Sequence, residues 1–180
     1  MELGQGFLKD TIKRFRNYRD LGERTLNQLD EQDLLVQQSE QANSIAMIIQ
    51  HMHGNMLSRW TNFLTEDGEK EWRKRDEEFD AALRSKEEIL RLWNEGWDKL
   101  LETLESLTPE DLTKTVTIRT EPLYVYDAIL RQLAHYPYHV GQIVQIGKAL
   151  RSDRWVALSI PKGGSLEYLE KVKKGEIKQP

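Results

Sequence analysis

"LAHYPYHVGQIV", residues 133–144, carries two histidines four apart with a proline between them. Whether this is one bent helix or two pieces broken at Pro137 decides the architecture. A proline inside a helix forfeits the bond to the carbonyl four residues back, here that of Leu133, at roughly 3 kcal/mol. A true break would also release the apolar pattern from its phase. The pattern instead continues through Val140, Ile143, Val144 and Leu150. The segment therefore reads as one helix over about 124–150, bent at the proline.

Three further stretches carry the same period. In the first, about 6–29, Phe7, Leu8, Ile12, Phe15, Tyr18, Leu21, Thr25 and Leu29 fall near helical spacing. The second runs over about 44–64, with Asn43 or Ser44 as its N-cap. The third, 85–107, opens with Ser85 and Glu88 as a capping box and turns Ile89, Leu92, Trp93, Trp97, Leu100, Leu101 and Leu104 inward.

Between them, polar residues 30–42 leave room for one turn of helix, and Asp67-Gly68 marks a turn within 65–79. Thr108-Pro109 opens a short helical turn, and Thr115 to Ile118 alternates as a short strand, isolated or with one partner. After a turn at 159–165, a last short helix spans 165–174. With no βαβ rhythm, the fold class is all-α: an up-down four-helix bundle with long connections and a short C-terminal helix, one domain over 1–180.

Composition narrows the chemistry. With a net charge of −4 across 180 residues, the chain has no basic footprint for nucleic acid. Runs such as Arg73-Lys74-Arg75 alternate with acids and read as solvated. No 18-residue apolar stretch predicts a membrane span, and the N-terminus has no apolar core of a signal peptide, so the expected location is the cytoplasm. There is no cysteine, which removes disulfides, Cys-ligated zinc, iron–sulfur clusters and thiol nucleophiles of the chain's own. A metal would have to be held by His, Asp or Glu.

All four histidines fall in two clusters, His51 with His53 and His135 with His139. Residues four apart share a helix face, with Cβ atoms roughly 6 Å apart, so His135 and His139 can converge on one cation. The spacing alone also fits two ordinary packed histidines. His51 and His53 sit about 200° apart on their helix, so only one can easily join them. The apolar stripe there, Ile45, Ile49, Met52, Met56 and Phe63, lies between the two, and periodicity does not choose.

Two stretches, "SIAMIIQHMHGNMLSRW" (44–60) and "HYPYHVGQI" (135–143), together resemble the DinB/YfiT-like family of metal-dependent four-helix-bundle proteins. "FLTEDGEKEWRKRDEEF" (63–79), "TIRTEPL" (117–123) and "ALSIPKGGS" (157–165) resemble one bacterial subgroup of it. The likeness covers nearly the whole chain. It implies a divalent metal, zinc or nickel first and iron or manganese next, on one histidine of the second helix and an HxxxH pair of the last. Ser44-Ile45 followed two turns on by His51 matches the family pattern. The implied metal ligands are therefore His51, His135 and His139. Pro137 departs from the pattern, which has a non-proline residue between the pair.

The resemblance further implies an enzyme that activates a low-molecular-weight thiol, as an S-transferase of bacillithiol type. A metal-dependent hydrolase and a non-catalytic metal-binding or stress-response bundle are the alternatives. Three neutral imidazoles leave the metal its full charge and an open position, which suits thiol activation. A hydrolase would want a carboxylate base, for which Glu121 is the one weak candidate. Gln142, Asn55 and Arg59 are candidate supporting or pocket residues, with Trp60 and Trp72 as entrance candidates. Tyr136 and Tyr138 read as packing between helices, and Lys162 to Ser165 as a connecting turn. The expected partners are a small molecule and a second copy of the chain in a homodimer.

Overall fold

Two of the long helices start where the capping chemistry puts them. The computed structural model describes residues 2–79 and 85–177. Six α-helices form among them: α1 (Leu3–Leu26), α2 (Glu31–Leu35), α3 (Ile45–Trp60), α4 (Lys86–Ser106), α5 (Val125–Arg151) and α6 (Ser165–Lys173). Ser44 Oγ accepts from the Met47 amide at 3.2 Å and starts α3; Ser85 Oγ accepts from Glu88 at 3.1 Å and starts α4. Pro109 opens a short 3-10 turn behind Thr108, where its missing N–H is one the helix could not have used.

Two helices differ from the sequence reading. The first begins at Leu3 and stops at Leu26, although Leu29 beyond it is still buried. The second ends at Trp60 and not at 64, because Thr61 turns extended and Asn62 takes a left-handed conformation (φ 51°). The last long helix is continuous through Pro137, so the in-phase apolar pattern outweighs the lost backbone bond.

Strand β1 (Thr115–Ile118) pairs antiparallel with β2 (Glu121–Tyr124). Their turn places Arg119 (φ 56°) and Thr120 (φ 66°) in the left-handed region, where glycine or asparagine is the usual choice. Outside help holds it. The Asp67 carboxylate accepts from the amides of Arg119 (2.9 Å) and Thr120 (2.7 Å), and the Gly68 amide donates to Thr117 O (2.8 Å). The Asp67-Gly68 turn is thus the dock for the hairpin.

The four long helices enclose one core, α3 packing mainly on α4 and α1 on α5. At its centre Phe15, Trp97 and Tyr136, from three different helices, are fully buried with ring centroids 6.1–6.5 Å apart. Gly22 lets Trp93 approach α1: a Cβ there would lie 2.2 Å from the indole. Among the described residues no helix is long and apolar enough to cross a membrane.

Candidate metal centre

Helix α3 contributes His51 and α5 contributes His135 and His139. Their ligand nitrogens all lie within 4.8 Å of one another. The choice that periodicity leaves open is made by packing. His53 points the other way and meets Glu95 of α4 at 3.2 Å.

Each of the three rings is held from behind. His51 Nδ1 lies 2.9 Å from Glu78 Oε2, His135 Nδ1 lies 3.2 Å from Gln132 Oε1, and His139 Nδ1 lies 2.8 Å from Gln142 Oε1. Carboxylate and amide oxygens accept hydrogen bonds and do not donate. The protons therefore sit on Nδ1 and the lone pairs on Nε2. His135 and His139 then bring their Nε2 atoms to 3.0 Å of each other, lone pair against lone pair. A cation between them would relieve that. A proton is poorly placed to serve. Burial, followed by the neighbouring His139 and His51, pushes His135 down to about 3, and burial lowers His139 as well. A metal ion fits the donor set. Two tetrahedral zinc ligands at about 2.1 Å stand roughly 3.4 Å apart, near the observed spacing.

The connection over 65–79 supplies the support for His51. Glu78 sits in a 3-10 turn (Asp76–Phe79) and accepts two bonds from Arg73, at 2.7 and 2.9 Å. Burial raises the Glu78 pKa, but Arg73 and then His51 outweigh it and hold the carboxyl below its ordinary range. Gly54 makes room for it, since a Cβ there would come within 2.2 Å of Glu78 Oε1. Phe79 stacks on the His51 ring at 5.1 Å. Behind the site, Trp60 Nε1 donates to Tyr136 Oη (3.1 Å), which donates to Asn55 Oδ1 (2.9 Å).

His51 and His135 open onto a cavity of about 250 Å³ whose walls include Arg59, Arg73, Arg75, Arg119 and Arg131. Asn55 and Gln132 line it too, and among the described residues no aliphatic side chain takes part. Arg59, two turns beyond His51, donates to the Gly68 carbonyl and reaches Glu69 at 3.2 Å; Arg119 meets the same carboxylate at 2.8 Å.

Of the residues named from sequence, His51, His135, His139, Gln142, Asn55 and Arg59 are brought together here. Trp60 belongs to the core and Trp72 is exposed. Tyr138 is a correction: it does not pack between helices but is 63% exposed, because it sits about 200° round the helix from buried Tyr136. Arg73 is also a correction, being buried and not solvated. Glu121 lies exposed on β2 and makes no side-chain hydrogen bond among the described residues. Sequence reading missed Glu78, Gln132, Arg73, Arg75, Arg119 and Arg131. One signal was available: Gln132 precedes His135 by three, as Gln142 follows His139 by three.

Residues 2–164 match the family described as "Protein of unknown function (DUF1572)", and the chain belongs to that family. No curated protein and no solved structure matches it significantly.

Proposed function

We propose that this DUF1572 chain is a DinB/YfiT-like four-helix bundle that holds one divalent metal on His51, His135 and His139 and activates a low-molecular-weight thiol. One observation carries the reading: all three Nδ1 atoms face acceptors while the other nitrogens converge. Ring support of this kind fixes the tautomer and orientation that a metal ligand needs. Zinc or nickel suits an imidazole set. Bound there, the metal supplies Lewis acidity that favours thiolate over thiol.

The chain's own residues do the rest. Gln132 and Gln142 fix the α5 pair, and Glu78, anchored by Arg73, fixes His51. Asn55 and the arginines face the cavity where a substrate would lie. The geometry favours thiol chemistry over hydrolysis. Hydrolysis wants a free carboxylate base, and among the described residues the carboxylate bonded at the cluster, Glu78, is already committed to Arg73 and His51.

The test is metal content by elemental mass spectrometry on tag-free protein, for wild type, His51→Ala, His53→Ala and His135→Ala. The expected result is about one metal per chain in wild type and His53→Ala and none in the other two. Metal-loaded wild type should then accelerate the reaction of a low-molecular-weight thiol with chlorodinitrobenzene. Wild type that stays metal-free after reconstitution with zinc or nickel overturns the metal site. Metal without any thiol-dependent rate overturns the activity.

A further inference from the structure

The cavity beside the histidines has a charge imbalance that the described residues do not resolve. Five guanidiniums line it. Two carboxylates are bonded to them, Glu78 to Arg73 and Glu69 to Arg59 and Arg119. Among the described residues three positive charges remain in excess. Arg75 and Arg131 form no ion pair among the described residues, although eighteen pairs form elsewhere and around them, down to exposed lysines. The rest of the wall among the described residues is imidazole and amide. Such a wall offers an apolar molecule nothing, and three neutral imidazoles would add a metal's charge without cancelling it.

Two of the arginines are held in place by the contacts that dock the hairpin on the Asp67-Gly68 turn. Arg119 sits on a strained turn that Asp67 clamps through two backbone amides. Arg59 is buried and fixed by the Gly68 carbonyl and Glu69. Planar guanidiniums fixed in this way are suited to the oxygens of carboxylate or phosphate.

We infer that the arginine-lined cavity binds a small dianion, a dicarboxylate or a phosphomonoester, gripped by Arg75 and Arg131 with its reacting end toward His51 and His135. This extends the metal-site reading by naming the substrate class, and rests on it for the placement of the reacting end. Size agrees. A cavity of about 250 Å³ lies below the usual range for drug-sized ligands. A dianion would cancel two of the three excess charges on the arginine wall.

Calorimetric titration of zinc-reconstituted protein tests it, with inorganic phosphate in one arm and succinate in the other, and zinc measured on the same samples. Wild type is compared with Arg131→Gln and with Arg75→Gln/Arg131→Gln. Both arginines are exposed and unpaired among the described residues, so the variants should fold. Binding of either anion, weakened about tenfold by the first substitution and about tenfold again by the second, is the expected result. The arm that binds tells phosphate from dicarboxylate. Zinc-loaded wild type that binds neither, or a double variant that binds as wild type does, overturns the inference and leaves the metal reading standing. Anion binding lost in the double variant, in protein that takes up no zinc, supports the arginine site and overturns the metal reading.

Discussion

Glu78 holds two neighbours at once, and its loss separates its two roles. Arg73 is almost completely buried beneath it and His51 Nδ1 donates to it. Glu78→Gln keeps an acceptor for one neighbour but removes the negative charge behind the His51 ring. Metal affinity should fall about ten- to a hundredfold, as for other groups that orient a metal-bound histidine. A competition titration against a chromophoric chelator reads this. Gly54→Ala makes the same point with the carboxylate intact. Its methyl would occupy the space of Glu78 Oε1, while alanine favours the helix by roughly 0.5–1 kcal/mol. Weaker metal binding in a chain whose helical propensity has improved is the expected pairing. Unchanged affinity in both variants would show that Glu78 does not orient His51.

At the scale of elements, the hairpin depends on Asp67. Burial opposes its charge, but the amides of Glu69, Thr120 and Arg119 outweigh that and hold the carboxyl at about 2. A depressed folded-state pKa contributes stability above the unfolded value, near 4, and that contribution is lost as pH falls toward 2. Asp67→Asn should therefore cost about 1 kcal/mol at pH 7, and the gap to wild type should close in urea melts near pH 2. A gap that does not change with pH would assign the effect to shape and not to charge. This hairpin also marks how far the sequence could be read. Helix starts at Ser44, Ser85 and Pro109 were legible because each cap is a local event. So was the continuity of α5, which rests on a period longer than the proline's disturbance. The hairpin turn was not, since Arg119-Thr120 carries no turn residue and is held by Asp67, fifty-two residues earlier. The site divides likewise. His135 and His139 came from spacing and His51 from a family pattern. Glu78 and the arginines come together only through tertiary packing, for which no sequence period exists.

For the whole molecule, the histidine cluster joins two halves. Helices α3 and α4 pack mainly on each other, as do α1 and α5, and the cluster spans from α3 to α5. A metal bound there would bind the folded chain and find no preformed site in the unfolded one, and so would stabilise by mass action. At a free concentration a hundred times its Kd that is about 2.7 kcal/mol. For a chain of this length each kcal/mol moves Tm by roughly 2–4 °C. Removal of the metal with a chelator should lower Tm by about 5–10 °C in wild type. His51→Ala should melt at the same temperature with and without chelator, because two histidines on α5 alone no longer tie the helix pairs together. A wild type that carries metal by elemental analysis, yet melts identically after chelation, would place the ion somewhere other than between α3 and α5.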